Sequence, residues 1–367
     1  MNGTYLNINL DHLKHNFNYL KSKIHPSVKI LAMVKAFAYG SDAVAIAKFL
    51  EEIGVDYLAV VYVDEAIPLR EEGIKTPILV LHPQPESFNN ILKYQLEPNL
   101  YNFEILKAFQ DFLEVQKVLN YPIHIESNSG INRLGFIFNE LQKLVNIFKH
   151  TDCFLIQSVY SHFAASEDPK ETHFTNSQIK AFEEFYNSLA KHLPNQPMKH
   201  ICNTSGLLNY PEVHYDMVRS GIGLYGYGNH PEFDTYLRPV ASLYSRISNI
   251  NILNPGDSLG YNRSFIATHK TKVAVITIGY ADGIIRQYGR GKGFVYVNKV
   301  ACKIIGNICM DMLMIDVSKV TCKVGDAVVI FDSNYGAQKL AEAIGTISYE
   351  LISTIGPRIP RKILSSI

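Results

Sequence analysis

The sequence predicts an α/β protein in which an N-terminal (β/α)8 barrel precedes a C-terminal domain of mostly β structure. The chain has 367 residues, more than the roughly 250–300 that one hydrophobic core accommodates, so two domains are expected. Short apolar, β-branched runs alternate with longer amphipathic stretches through the first two thirds, as in βα units around a parallel sheet. The later apolar runs are short and closely spaced, which is typical of a β-rich domain.

Eight candidate strands define the barrel. They cover residues 28–34, 57–63, 77–81, 95–98, 122–126, 154–160, 198–202 and 215–219. Helix-like segments lie between them, for example 42–53, where apolar residues recur at helical spacing behind a cap at Asp42. Eight strands with intervening helices fit a closed, TIM-like barrel better than an open sheet. Function is then expected at the C-terminal ends of the strands.

The second domain begins where this rhythm changes. After the turn-rich segment 226–239, apolar runs such as KVAVITIG, GFVYVN and AVVIF are separated by Gly, Pro and Asn. We place the boundary near residue 235, which gives a barrel over 1–235 and a β domain over 236–367. The strand-like segment 4–10 could pair with either domain, so residues 1–10 are candidates for the C-terminal sheet.

Composition limits the partners. Lys and Arg total 35 against 34 Asp and Glu, and no basic cluster is interleaved with aromatic residues. A nucleic acid or an acidic membrane surface is therefore not an expected partner, and the ligand is expected to be small. The N-terminus has no signal-peptide pattern, so a cytoplasmic protein is expected. The five cysteines are scattered without C-x-x-C spacing and are interpreted as reduced.

Lys35 is the first candidate for chemistry. It follows directly on the apolar run Ile30–Val34, in the stretch ILAMVKAFAYG, and so lies at the C-terminal end of the first predicted barrel strand. A lysine that extends from a strand end into solvent is the plain alternative. Two other strand ends favour a functional role, because HICNTSG (200–206) and YDMVRSGIG (215–223) place hydroxyls and Gly-flanked amides after strands 7 and 8. Barrels of this kind build phosphate sites there.

A lysine nucleophile opposite a phosphate site suggests pyridoxal phosphate. The amine would form a Schiff base with the aldehyde, and the phosphate would anchor the ring. Arg219, on strand 8, could bond the pyridine nitrogen. Because arginine keeps its proton, it would leave that nitrogen largely unprotonated and would weaken the ring as an electron sink. An ordinary ion pair is the alternative role for Arg219.

Several motifs together resemble the alanine racemase family, in order and over nearly the whole chain. They are MVKAFAYG (33–40), SHFAASED (161–168), YDMVRSGIGLYGYG (215–228), IGYADG (278–283), CMDMLMIDVS (309–318) and GTISYELISTIGPRIPR (345–361). The resemblance implies a pyridoxal-phosphate barrel, a C-terminal β domain and a head-to-tail homodimer with shared active sites. It also implies interconversion of L- and D-alanine, with D-alanine supplied for peptidoglycan.

The resemblance implies four catalytic residues. Lys35 corresponds to the Schiff-base lysine, which acts as a base on one face of the substrate Cα. Tyr261 lies nineteen residues before the tyrosine of GYADG, as the family's catalytic tyrosine does, and would act on the opposite face from the other subunit. A phenol has a pKa near 10 and needs help. His162 corresponds to its histidine partner, which in turn contacts Arg219.

The resemblance also implies binding residues. Those for the cofactor are Lys35, Tyr39, Arg133, His162, Asn203, Thr204, Arg219, Gly221, Ile222 and Tyr349. Those for the substrate are Arg133, Met310 and Tyr280, with Met310 supplied by the other subunit. No metal is expected.

The chain departs from the family pattern at a few positions. Glu126 stands where many members have a carbamylated lysine, seven residues before the arginine that corresponds to Arg133. We interpret Glu126 as a built-in anion that supports Arg133 without carbon dioxide; a surface glutamate is the alternative. The other departures, which leave a broader-specificity amino-acid racemase open, are Phe37, Ser41, Asp42, Asn128 and Ser129.

Three other functions compete. Proteins that only hold pyridoxal phosphate share the barrel and lysine motif, but they lack the second domain. Related decarboxylases share the two-domain plan, but their C-terminal constellation is not found here. A metal hydrolase could use His124, His162 and His200, near the ends of strands 5 to 7. Such sites commonly have H-x-H on strand 1, where this chain has Lys35.

Overall fold

The computed structural model describes residues 3–366 and divides the chain into two compact units. The barrel unit contains Lys14–Ala36 and Ala43–Leu237. The β unit contains the chain up to Leu13, Phe37–Asp42 and the residues from Arg238 onward. Residues 1 and 2 of the predicted N-terminal segment lie outside the described residues. None of the helices described in 3–366 is long and apolar enough to cross a membrane.

The chain opens with strand β1 (Tyr5–Asn9) and helix α1 (Leu10–Lys21). The barrel unit then supplies eight parallel strands within the described range. They are β2 (Lys29–Met33), β3 (Tyr57–Val60), β4 (Ile78–Val80), β5 (Glu97–Leu100), β6 (Tyr121–Glu126), β7 (Phe154–Tyr160), β8 (Met198–His200) and β9 (Met217–Ser220). Each of the eight predicted strands is therefore present; β7 has the predicted bounds, and the bounds of the other seven are shifted.

The eight strands form one sheet in the order β8-β7-β6-β5-β4-β3-β2-β9. Its two edges approach each other, because Asp216 donates its backbone N–H to Lys199 O at 3.1 Å and Arg219 donates to Cys202 O at 3.0 Å. The sheet is thus a nearly closed parallel barrel, and the predicted fold class is confirmed. Every residue of β3 is buried, as expected for strands covered on both faces.

Short helices connect the strands. Those in or next to the barrel unit are α2 (Lys35–Gly40), α3 (Ala43–Glu52), α4 (Val63–Glu71), α5 (Phe88–Lys93), α6 (Phe103–Gln116), α7 (Leu141–Lys149), α8 (Thr172–Ala190), α9 (Thr204–Asn209) and α10 (Pro231–Asp234). Side-chain caps begin three of them, because Asn102 accepts from Ile105 N–H, Asn203 accepts from Gly206 N–H and His230 accepts from Glu232 N–H. These bonds satisfy backbone donors that a helix start leaves unpaired.

The β unit is mostly antiparallel. Its strands after β1 are β10 (Ala241–Leu253), β11 (Ser258–Leu259), β12 (Phe265–Ile266), β13 (Thr271–Ile276), β14 (Phe294–Val297), β15 (Val300–Ile305), β16 (Leu313–Asp316), β17 (Ala327–Phe331) and β18 (Arg361–Leu364). Its helices are α11 (Ala337–Glu342) and α12 (Ser348–Ser353). The main sheet follows the order β13-β16-β15-β14-β17-β10-β1-β18, and β10 also pairs with β13.

The pairing of β1 answers a question that the sequence left open. Within the β unit, β1 runs antiparallel to β10, with Tyr5 opposite Tyr244, and parallel to β18, with Leu6 opposite Arg361. The N-terminal strand therefore belongs to the C-terminal sheet. Its alternating burial places Leu6 and Ile8 in the core.

Candidate active site

Lys35 begins α2, two residues after the C-terminal end of β2. Its side chain is partly buried. Burial lowers the pKa of the Lys35 ammonium, the positive charge of Arg133 lowers it further, and the carboxylate of Glu65 opposes both. A lysine whose pKa is lowered is more often a neutral nucleophile near neutral pH. Lys35 thus lies at the end of a barrel strand, as predicted, and its surroundings lower its pKa in the direction that a nucleophile needs.

The turn after Lys35 is left-handed. Ala36, Phe37, Ala38 and Tyr39 all have positive φ angles, between 51° and 56°. This conformation is unfavourable for residues with a Cβ and persists only where the surroundings enforce it. Glu65 contributes, because its Oε1 accepts from Ala36 N–H at 2.6 Å.

Arg219 is buried on β9 and holds a fixed place. Its Nη2 donates to the carbonyls of Ser161 and Ile201 at 2.7 and 3.0 Å. Nη1 lies 2.7 Å from His200 Nδ1, and Nη2 lies 3.1 Å from His162 Nδ1. In the described part of the chain these bonds involve Nη1 and Nη2, and none involves Nε. The guanidinium is thus bound by neutral acceptors, and its Nε N–H is among the donors that these bonds leave.

Both histidines next to Arg219 favour the neutral form. Burial lowers the pKa of His200 well below its ordinary value, and the charge of Arg219 lowers it further. The pKa of His162 is lowered in the same direction, first by burial and then by Arg219, Arg133 and Lys35. A neutral imidazole can accept a hydrogen bond from the guanidinium. The predicted contact between His162 and Arg219 is therefore present in this structure.

Glu126 is buried at the end of β6 and is not at the surface. Its Oε2 accepts from Asn99 Nδ2 at 2.8 Å and from the Tyr160 hydroxyl at 3.1 Å. The described residues include no ion pair of 4.0 Å or less between Glu126 and Arg133. Both charges act on the Tyr160 phenol, whose pKa is raised by burial and then by Glu126 and lowered by Arg133. Glu126 and Arg133 therefore share Tyr160 as a neighbour but form no direct bond with each other.

A hydroxyl and two amides meet after β8 and β9. Thr204 Oγ1 lies 3.2 Å from Ser220 Oγ and accepts weak bonds from Gly221 N–H and Gly223 N–H, both at 3.3 Å. A Cβ on Gly223 would come 2.7 Å from Thr204 Cγ2, so the close approach requires glycine. Within the barrel unit, this cluster carries N–H and O–H donors of the kind that bind phosphate.

Known proteins similar to this chain point to one family. A family model described as alanine racemase, N-terminal domain, matches residues 8–229, and one described as alanine racemase, C-terminal domain, matches 240–363. The chain belongs to the alanine racemase family. Alanine racemase 1 from Clostridium acetobutylicum is 35% identical over 371 residues, which cover 96% of this chain and 93% of that protein.

Solved structures of the alanine racemase family have the same fold. Alanine racemase from Clostridium difficile 630 has a TM-score of 0.92 at 30% identity, covering 100% of this chain and 97% of that one. Alanine racemase from Bacillus anthracis with bound L-Ala-P has a TM-score of 0.92 at 29% identity, covering 100% and 96%. The resemblance expected from the motifs is confirmed, and so is the expectation that the chain is an enzyme.

The remaining predicted site residues lie in the β unit of this alanine racemase family member. Tyr39 and Tyr349 are neighbours there, with ring centroids 6.2 Å apart, and burial raises the pKa of Tyr39 above its ordinary value. Tyr261, Met310 and Tyr280 are all exposed, with 69%, 53% and 40% of their surface accessible. In the barrel unit, Arg133 is also exposed.

The three histidines of the metal-hydrolase alternative do not converge. His124 Nδ1 and His200 Nε2 each lie within 2.9 Å of Ser158 Oγ, whereas His162 contacts Arg219. Residues 3–366 contain no group of three or more His, Cys, Asp or Glu side chains placed to hold a metal ion.

Sequence analysis missed the residues that support the site. Glu65, three residues after the N-cap Tyr62 of α4, was not singled out from the sequence. Glu97 and Ser158 lie inside predicted strands and had no motif around them. A polar residue in an otherwise apolar barrel strand was the available signal, since such residues need a buried partner.

Proposed function

We propose that this protein interconverts L-alanine and D-alanine with pyridoxal phosphate as its cofactor. The observation that carries the proposal is the set of groups around His162 in the barrel unit. Lys35, with its lowered pKa, and the buried Arg219 both act electrostatically on this histidine. The relatives are named alanine racemases, and one was solved with L-Ala-P bound. The proposal transfers that activity to this chain.

The side chains present fit the cofactor. When bound to the substrate amine, pyridoxal phosphate withdraws electrons from the Cα–H bond and makes that proton acidic. Lys35 would hold the aldehyde carbon, and Arg219 would donate from Nε to the pyridine nitrogen. Thr204 and the amides of Gly221 and Ile222 would bind the phosphate. The further proposed cofactor contacts are Tyr39, Arg133, Asn203 and Tyr349.

Arg219 supports this fit by its charge state. Its neighbours are carbonyls and histidines with lowered pKa values, so no buried carboxylate competes for its remaining donor among the described contacts. The guanidinium retains its proton throughout the neutral range. We therefore expect Arg219 to donate to a ring nitrogen without transferring a proton to it.

Two bases on opposite faces of the substrate would invert its configuration. Lys35 Nζ would remove or return the Cα proton on one face, and the hydroxyl of Tyr261 of the partner subunit would act on the other. The high exposure of Tyr261 supports a role toward a second copy of the chain. Met310 and Tyr280 are exposed in the same way and are proposed to face the substrate. A head-to-tail homodimer is therefore part of the proposal.

Glu126 is proposed to supply negative charge near Arg133 in place of the carbamylated lysine. Glu126 and Arg133 both act on the Tyr160 phenol but form no direct bond with each other. The support that Glu126 gives Arg133 would therefore be electrostatic. We expect Glu126→Gln to lower kcat/KM by roughly threefold to tenfold, a loss of about 1 kcal/mol for a screened charge pair. The wild-type rate should be the same with and without bicarbonate. Unchanged turnover in Glu126→Gln would end this proposal.

The test of the function is a chiral assay. The purified protein, loaded with pyridoxal phosphate, is incubated separately with L-alanine, L-serine and L-lysine, and the mirror-image product is measured by chiral chromatography. Alanine should be inverted fastest. Tyr261→Phe and Lys35→Ala should abolish inversion, and Tyr236→Phe, an exposed tyrosine outside the proposed site, should not. Faster inversion of serine or lysine would instead support the broader-specificity racemase.

The biological setting follows from the same resemblance. D-alanine is a component of peptidoglycan, and we propose that this enzyme supplies it from the cytoplasm. A racemase with alanine as its best substrate would support that role, whereas a preference for a larger amino acid would contradict it.

A further inference from the structure

A continuous chain of hydrogen bonds runs through the interior of the barrel unit. Glu97 Oε2 lies 2.8 Å from His124 Nε2, and His124 Nδ1 lies 2.6 Å from Ser158 Oγ. Ser158 Oγ lies 2.9 Å from His200 Nε2, and His200 Nδ1 lies 2.7 Å from Arg219 Nη1. We call these five residues the barrel relay. It connects the start of β5 with the proposed cofactor contact on β9.

The two ends of the relay fix its direction. Arg219 can only donate, and an ionised Glu97 can only accept. With both imidazoles neutral, His200 must accept at Nδ1 and donate from Nε2 to Ser158 Oγ. Ser158 then donates to His124 Nδ1, and His124 donates from Nε2 to Glu97. Every hydrogen bond in the relay thus has one permitted donor, and both histidines have one permitted tautomer.

The surroundings hold the relay away from water. His124, Ser158 and His200 are fully buried, and the side chain of Glu97 is 13% exposed. The Tyr160 ring stacks on His200 at a centroid distance of 4.9 Å and an angle of 12°. In such a site a reversed donor would leave two N–H groups facing each other, which costs the full desolvation of both.

We infer that Glu97 and Ser158 are positioning residues for Arg219. They anchor the His200 ring through its Nε2 N–H, and the anchored ring, which accepts from Nη1 at its Nδ1, orients the guanidinium whose Nε is proposed to meet the cofactor ring. The contact between Arg219 and the cofactor ring rests on the proposed function. The histidine tautomers follow from the hydrogen bonds of the chain and do not depend on that function. Without the carboxylate, the far end of the relay is no longer restricted to an acceptor.

Two variants test the relay. In Glu97→Gln the amide can donate to His124 Nε2, so the second tautomer of His124 becomes accessible, and in Ser158→Ala the bonds to both His124 and His200 are removed. Glu51→Gln is the matched control, because Glu51 accepts from Thr76 and Lys75 outside the relay. Histidine is labelled selectively with ¹⁵N, and each signal is assigned from a variant in which that one histidine is replaced. The ¹⁵N chemical shifts then report the tautomer of each histidine in each protein.

In the wild type we expect His200 protonated only at Nε2 and His124 only at Nε2. Glu97→Gln should show mixed tautomers at His124, while Arg219 keeps His200 protonated at Nε2. Both relay variants should show a shifted absorption maximum of the bound cofactor and a changed kcat. We expect kcat to fall about tenfold, as for loss of one charge-assisted hydrogen bond, with KM within about twofold. The control should match the wild type in all three readouts.

The inference is overturned if the wild type shows a doubly protonated His124 or an Nδ1-protonated His200. It is also overturned if both variants keep the wild-type tautomers, absorption and kcat. Failure of the proposed function looks different: the wild type would bind no pyridoxal phosphate or invert no amino acid. In that case the ¹⁵N spectra of the wild type and variants would still decide whether the relay has the stated direction.

Discussion

Glu65 should stabilise the turn that follows Lys35. Its removal should speed amide hydrogen exchange in that turn by a measurable amount. Its carboxylate accepts from Ala36 N–H at 2.6 Å through Oε1, and from Val61 N–H at 2.7 Å and Tyr62 N–H at 3.2 Å through Oε2. One side chain thus ties the end of β3 to the first left-handed residue. Glu65→Ala removes all three bonds.

The magnitude follows from these contacts. A hydrogen bond to a charged acceptor stabilises by about 1.5–3 kcal/mol when buried. Ala36 and Tyr62 are exposed, so water replaces much of what they lose, and a net loss of about 2–3 kcal/mol is expected for the whole set. The left-handed turn itself costs roughly 1–2 kcal/mol for each non-glycine residue. The substitution therefore loosens the turn and does not unfold the barrel.

Hydrogen exchange by mass spectrometry of peptides that cover residues 30–40 measures this loosening. A loss of about 2 kcal/mol at Ala36 corresponds to roughly 30-fold faster exchange of its amide. Since the charge of Glu65 raises the pKa of Lys35, its removal should lower that pKa further. Glu71→Ala, at the exposed end of the same helix, is the control. Wild-type exchange and wild-type kcat in Glu65→Ala would refute the reasoning.

Three further substitutions test other features of the fold. Gly40→Ala should lower the free energy of unfolding by about 3 kcal/mol, since φ is +76° and the new Cβ would meet Ile352 O. Gly54→Ala, at φ +83° with open space, should cost about 1 kcal/mol in the same denaturant titration. Because the pKa of His200 is lowered in the fold, only the unfolded chain takes up its proton below about pH 6.5. His200 should then contribute a fall in stability of up to about 1.4 kcal/mol per unit decrease in pH, and His200→Asn should remove that contribution.

The barrel was predictable because its strands are continuous apolar runs. Segments such as β3 and β4 are buried on both faces, so the pattern and the burial agree. Strand β10 was missed, although Leu243, Ser245 and Ile247 are buried in alternation along it. Its polar positions include serine on the buried face, which obscured the period of two.

Residues of the site could be predicted from the sequence only where a single side chain at a strand end carries the chemistry. Lys35 and Arg219 stand at strand ends, and the strand order brings them to the same end of the barrel. The relay residues Glu97 and Ser158 could not be assigned from sequence, because their roles depend on register between strands. His124 pairs with Ser158 across β6 and β7, next to a register shift between Ile123 and His124. An irregularity of this kind leaves no local sequence signal.

The positive charges of the barrel unit lower the pKa of its bases and suit an anionic ligand. Lys35, Arg133 and Arg219 act together on His162, and the carboxylates of Glu65 and Glu126 are bonded to other groups. Nearby positive charge lowers the pKa of Lys35 and His162, and a lowered pKa favours attack of an amine on an aldehyde. The same field attracts a phosphate and a substrate carboxylate. Binding of such an anion should raise the pKa of Lys35 again, because the new negative charge opposes the positive charges that lower it.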